Sequence, residues 1–242
     1  MCKRIAIVVI LFAGAAPAAE PPAKLRIAAK VVEGDGKEML DPAAKAWADA
    51  TPATVLLNRT PRIYQTEPVR DLPIPEMEVR AARAGGKLHL RLVWTDATKN
   101  APSAPPAKFG DAGDPGKLYK RPTNDPAGFA DAAAVMVPKD WAGPAFPSLQ
   151  MGDKDHPVRL FYWNAARGAE ELASTGRAAR QRTDAVVPHR AAYADGRWSL
   201  VMQLPDVPDG YPLAFAVWDG AIQDRDGLKW FSIWYVLTKQ ER

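Results

Sequence analysis

The chain has 242 residues, 32 of them Lys or Arg and 28 Asp or Glu, for a net charge of +4. So mild and evenly spread an excess argues against a nucleic-acid-binding surface. Its one cysteine, Cys2, lies ahead of anything that could form a core, which excludes a disulfide framework, a thiolate nucleophile and iron–sulfur ligation by the folded part.

The N-terminus reads as an export signal, residues 1–19. Lys3 and Arg4 supply a positive start, Ile5 to Gly14 an almost wholly apolar run, and Ala16-Pro17-Ala18 with Ala19 the small residues of a cleavage site. The run is too short to span a bilayer and no second one follows. The protein is therefore expected to be exported, cleaved after residue 18 or 19, and not integral to the membrane; an uncleaved anchor is the alternative. Loss of Lys3 and Arg4 lowers the net charge to +2. Residues 20–242 remain as a single domain, about 220 residues, enough for one large β core.

From Pro21 to Asp49 the pattern is mixed and begins as an extended arm. Met77 to Trp94 is the clearest local signal. Met77, Val79 and Ala81 alternate with Glu78, Arg80 and Ala82; Gly85-Gly86 turns; Leu88, Leu90, Leu92 and Trp94 then alternate with Lys87, His89 and Arg91. This is a hairpin with one buried face. Ala97 to Gly128 is rich in Pro, Gly, Lys and Asp without periodicity, a long functional or mobile loop. Strands are expected at Ala133–Val137, Val158–Trp163, Leu213–Trp218 and Trp230–Leu237, the last apolar on both faces and so central. Ala165–Ala173 is the best helix candidate. A second hairpin centres on Asp195-Gly196, after which Trp198, Leu200, Met202 and Leu204 share a face. The predicted fold is all-β, an antiparallel β-sandwich with few short helices and long loops.

Candidate chemistry is sparse. His89 shares a face with Lys87 and Arg91 and is expected to point to water; His156 lies in a polar loop and His189 in a connection, and no pair has metal-ligand spacing. There is no Gly-x-Ser-x-Gly elbow and no phosphate-binding glycine loop. Asp96, Asp131, Asp219 and Asp224 stand near strand ends, where carboxylates usually bind turn amides. Eight tryptophans suit a core, a sugar-binding platform or the lining of a flat apolar cofactor. Met151 by itself reads as packing. Lys229 by itself reads as a surface residue, although it enters the most apolar strand.

Six blocks in order resemble the haem b (gamma) subunit of the type II branch of the dimethyl sulfoxide reductase family, the branch of ethylbenzene, dimethyl sulfide, selenate and chlorate enzymes. They are the strand Leu88 to Thr98 with Trp94-Thr95-Asp96, Phe129 to Val135 with Pro138, and Met151-Gly152 followed by Pro157-Val158 and Tyr162-Trp163-Asn164-Ala165. Then come Asp195-Gly196-Arg197-Trp198, Phe215 to Gly220, and Lys229 with Ser232 and Trp234. The blocks span about Val55 to Leu237, and the Ala97–Gly128 stretch matches none of them. The resemblance implies a β-sandwich in the periplasm that holds haem iron between Met151 and Lys229. It also implies docking to an iron–sulfur beta subunit beside a molybdenum alpha subunit. No Cys-x-x-Cys-His is present, so such a haem would be non-covalent haem b. Filled axial positions imply electron transfer rather than catalysis, between the partner clusters and a soluble cytochrome c. His156, five positions from Met151, is the rival ligand. A carbohydrate-binding sandwich and a stand-alone haem carrier are the competing functions.

Overall fold

The computed structural model describes residues 22–60, 74–101, 129–143, 145–222 and 224–241. The export signal and most of the Ala97–Gly128 stretch lie outside the described residues. Within them the strands, in chain order, are β1 (Arg26–Val31), β2 (Ala53–Leu56), β3 (Asn58–Arg59), β4 (Glu76–Ala84), β5 (Lys87–Thr95), β6 (Ala132–Pro138) and β7 (Val158–Asn164). There follow β8 (Gly168–Ser174), β9 (Arg180–Arg182), β10 (His189–Ala194), β11 (Arg197–Pro205), β12 (Pro212–Trp218), β13 (Trp230–Phe231) and β14 (Tyr235–Lys239). Helix among the described residues is limited to three short 3-10 segments, Ala23–Leu25, Lys37–Leu40 and Lys45–Asp49.

One continuous sheet runs β10-β11-β5-β4-β1-β14-β12-β6-β7-β8-β9 and curls over itself. Its two ends face each other. Leu90, Leu92 and Trp94 of β5 and Leu200 and Met202 of β11 share a core with Val135 of β6, Phe161 and Trp163 of β7 and Phe215 of β12. Trp94 stacks on Trp198 at 27° and meets Trp163 edge-on at 69°, contacts worth about 0.5–1.5 kcal/mol each beyond their buried area. The all-β expectation holds, and both glycine-turn hairpins form as expected, with Gly85 and Gly86 at φ +56° and +67°.

The details differ in four places. The sheet is mixed, because β1 pairs parallel with both β14 and β4. Ala165–Ala173 is not a helix: a turn with Gly168 at φ +84° leads into β8, which pairs with β7 across all seven of its residues. Its Ala, Glu and Leu favour helix in isolation, but the open edge of β7 and the burial of Leu172 prevail. Trp230–Leu237 is two strands rather than one. Ala216 pairs with Phe231 but Leu213 with Tyr235, a shift of one residue, so Ser232–Trp234 forms a bulge. There the Ser232 hydroxyl accepts the Phe215 amide at 2.9 Å and donates to the Ile233 carbonyl at 2.7 Å.

His89 is the fourth difference. It lies on the face the alternation gives it, yet it is fully buried. The arm carrying Met39 and Trp47 covers that face, and a Cβ on Gly36 would come within 2.8 Å of the imidazole. Burial holds the His89 pKa below its ordinary value, and Nε2 lies 2.9 Å from the Gln203 amide. A lone strand cannot announce that a distant arm will cover it.

Candidate functional site

Strands β6, β7 and β12 are buried on both faces. Ala133, Val135 and Val137 of β6 and Leu213, Phe215 and Val217 of β12 point into the main core. The alternate residues, Ala132, Ala134 and Met136 with Ala214, Ala216 and Trp218, form a second cluster with Leu160 and Tyr162 of β7 and Leu172 of β8. Much of the floor of this second face is alanine: Ala134 pairs with Ala216, and Ala214 with Met136. Side chains that short leave room above the sheet. A cleft opens there, with about 560 Å³ of empty space that includes its open mouth.

Met151 and Lys229 both line this cleft, with Leu149, Arg180, Asp226 and Phe231. Met151 enters from the loop before β7. Its backbone is left-handed, φ +72°, which costs an unbranched L-residue on the order of 1–3 kcal/mol. The surroundings enforce it. The Ser174 hydroxyl donates to the Met151 carbonyl at 2.9 Å, and the Gly152 amide donates to the Ser148 carbonyl at 2.8 Å. Gly152 is also left-handed, φ +75°, and a Cβ there would lie 2.7 Å from the His156 carbonyl. The Trp234 indole, on the bulge, donates to the Pro147 carbonyl at 3.1 Å and ties this loop to the opposite wall.

Lys229 enters from the connection between β12 and β13. Its carbonyl accepts the Thr60 amide at 2.9 Å and the Thr60 hydroxyl at 3.0 Å. The Trp218 indole donates to the Asp226 carbonyl at 3.2 Å, closing the turn before it. The Lys229 ammonium sits 5.2 Å from the Trp218 ring centre. Burial pushes the amine down to about 8; Arg177 and Arg180 push the same way and Asp226 opposes them. Arg180 of β9 projects into the cleft with a guanidinium nitrogen 3.9 Å from the Met151 sulfur. The site thus combines an apolar floor, one thioether, one amine that gives up its proton readily, and an excess of cationic groups.

His156 does not line the cleft. Its Nδ1 lies 3.1 Å from an Asp153 carboxylate oxygen, and its side chain is 42% exposed. His189 Nδ1 is 2.9 Å from the Val187 carbonyl, outside the cleft as well. Six of the eight tryptophans, Trp47, Trp94, Trp163, Trp198, Trp218 and Trp230, are buried. Trp141 and Trp234 are half-buried and sandwich Phe146, at 12° and 15°.

The sequence profile of the ethylbenzene dehydrogenase family matches residues 44–185. The chain belongs to that family. The match includes Met151 and ends before Lys229, but similarity to individual relatives extends further. A proposed respiratory nitrate reductase haem subunit of Haloferax mediterranei is 28% identical, covering 94% of this chain and 78% of its own length. The dimethylsulfide dehydrogenase subunit gamma of Rhodovulum sulfidophilum is 25% identical, covering 82% and 74%. The chlorate reductase subunit gamma of Ideonella dechloratans is 28% identical, covering 95% and 93%. The resemblance drawn from the six sequence blocks is the one these relatives carry.

Sequence reasoning missed Arg180, Asp226 and the alanine floor. The signal for the floor was present: Ala132, Ala134, Ala214 and Ala216 recur at a spacing of two on strands whose other face is large and apolar.

Proposed function

We propose that the chain is a b-type haem electron-transfer subunit, working beside the iron–sulfur beta and molybdenum alpha subunits of a type II molybdoenzyme. The observation that carries this reading is the convergence of Met151 and Lys229, 78 positions apart, on one alanine-floored cleft. The residues present fit a haem. The floor accepts a flat apolar ring, the thioether and amine are donors that iron accepts, and Arg180 offers charge to the carboxylates of a haem. When bound, haem iron supplies one-electron transfer. Met151 and Lys229 would hold the iron; a thioether favours the reduced metal. The environment of Lys229 prepares it for that role, since a protonated amine has no lone pair to give, and burial beside Arg177 and Arg180 disfavours the proton. With the iron held by two of this chain's own side chains, the subunit would relay electrons, onward to or from a soluble cytochrome c, rather than catalyse.

The haem should be held without thioether bonds, so acid–acetone should extract it completely from haem-loaded protein. Haem that stays with the polypeptide, or none after expression with ample supply, would sink the reading. A Soret band separates it from a sugar-binding module, whose platform among the described residues would be Trp141, Phe146 and Trp234. Co-purification of iron–sulfur and molybdenum subunits separates it from a stand-alone carrier.

Periplasmic location belongs to the same proposal and rests on residues 1–19. Among the described residues no helix is long and apolar enough to cross a membrane. Mass analysis of the periplasmic protein should find a chain beginning at Ala19 or Glu20. A membrane-bound chain beginning at Met1 would contradict export and cleavage.

A further inference from the structure

Away from the cleft, three carboxylates meet at one end of the sheet. Asp96 follows β5, Asp131 precedes β6 and Asp219 follows β12. All three are at most 3% exposed, and each offers an oxygen within 4.8 Å of the others. Backbone and indole donors hold them in place. Asp131 accepts the Asn100 amide at 2.7 Å and the Trp198 indole at 3.0 Å on one oxygen, and the Gly220 amide at 2.9 Å on the other. Asp219 accepts the Ala221 amide at 2.8 Å. Asp96 accepts the Thr98 amide at 3.1 Å through Oδ1, while its Oδ2 is buried and takes no hydrogen bond. A buried carboxylate oxygen without a donor is costly, and the carboxylate faces Asp131.

Neither Asp96 nor Asp131 forms an ion pair with lysine or arginine among the described residues. With no cationic side chain paired to Asp96 or Asp131, burial and mutual repulsion would oppose their ionisation. The donors, however, are N–H groups aimed at anions. Three buried carboxylates held in place by N–H donors, one of their oxygens without a donor, make a site for a cation.

We propose that Asp96, Asp131 and Asp219 bind a calcium ion that joins the ends of β5, β6 and β12. All three donors are oxygen, which selects a hard cation over zinc or copper. Three carboxylates delivered by three separate loops suit the adaptable coordination of calcium better than the strict octahedron of magnesium. The ion would clamp strands from both facing parts of the sheet. It would also brace the start of the connection that carries Lys229, since a Cβ on Gly220 would stand only 2.0 Å from the Phe129 carbonyl and the joint has no slack. This inference stands apart from the haem reading.

Metal analysis and terbium luminescence test it on the full mature chain. Protein purified without chelators should carry one equivalent of calcium, lose it to EGTA with a fall in unfolding temperature, and recover on adding calcium chloride. Terbium, which replaces calcium, should light up on tryptophan excitation, because Trp198 touches Asp131. Asp96→Asn should weaken calcium binding at least tenfold while Asp153→Asn leaves it unchanged. EGTA-treated wild type that binds neither calcium nor terbium would overturn the proposal, and so would magnesium bound in preference or an Asp96→Asn chain with wild-type affinity. The wild-type measurement decides the matter even if that variant fails to fold.

Discussion

Met151→Ala protein loaded with haem is expected to lose its low-spin spectrum, bind carbon monoxide and fall in reduction potential. The drop should be on the order of 100 mV, a modest part of the roughly 0.8 V that axial ligands command. A thioether stabilises reduced iron, and alanine leaves that position empty. Lys229→Ala should open the opposite position. It should also abolish a pH-dependent step, because wild-type Lys229 must lose its proton before it can donate. The apo-protein offers a second reading of the same group. Its folded value of about 8 lies below the ordinary 10.5. Below about pH 8 both states hold the proton and the penalty is complete; between the two values the folded state releases it first while the unfolded state still binds it. Stability should therefore rise with pH across that window, and Lys229→Met should flatten the rise. His156→Ala is the control. If it shifts the low-spin spectrum and Met151→Ala does not, the ligand is the histidine.

Asp224→Asn should destabilise the apo-protein by roughly 3–5 kcal/mol, the cost of breaking a buried ion pair from one side. Arg59 of β3 grips Asp224 with two parallel hydrogen bonds of 2.7 and 2.6 Å, and the Asp224 side chain is fully buried. The pair fastens β3 to the connection that presents Lys229, one residue from where Thr60 holds the Lys229 carbonyl. Urea unfolding measures the effect, and haem affinity should fall with it. A loss below 1 kcal/mol would mean that water relaxes the site and that the pair does not brace the cleft.

Much of this was legible in the sequence. The hairpins at Gly85-Gly86 and Asp195-Gly196 are local statements, in which turn chemistry and alternation agree, and they stand as read. The central place of the Trp230–Leu237 region was legible too, although Phe231, Trp234 and Val236 are only partly buried and Ile233 is exposed; the bulge was not, because its cause is Phe215, seventeen positions from Ser232. Ala165–Ala173 misled because helix propensity is local and the edge of β7 is not. The two proposed iron ligands were visible only as members of ordered family blocks; nothing in the residues around Met151 or Lys229 says that they share a cleft. Asp96, Asp131 and Asp219 do bind turn amides as expected, but their convergence depends on how the sheet curls.

The parallel pairing of β1 has a consequence for how the chain matures. β1 sits in the middle of the sheet, between β4 and β14, yet among the described strands it is the first in the chain and β14 the last. Until β14 has been synthesised, one side of β1 and the matching side of β12 remain open, and no strand ladder joins β1 to β12. Contacts between residues more than 200 positions apart, such as Arg26 with Val236, must close against a large loss of chain entropy. The protein should accordingly fold slowly and late, as a whole rather than from its first half onward. A ribosome stalled before residue 235 would hold two sticky sheet edges that only a chaperone could keep apart.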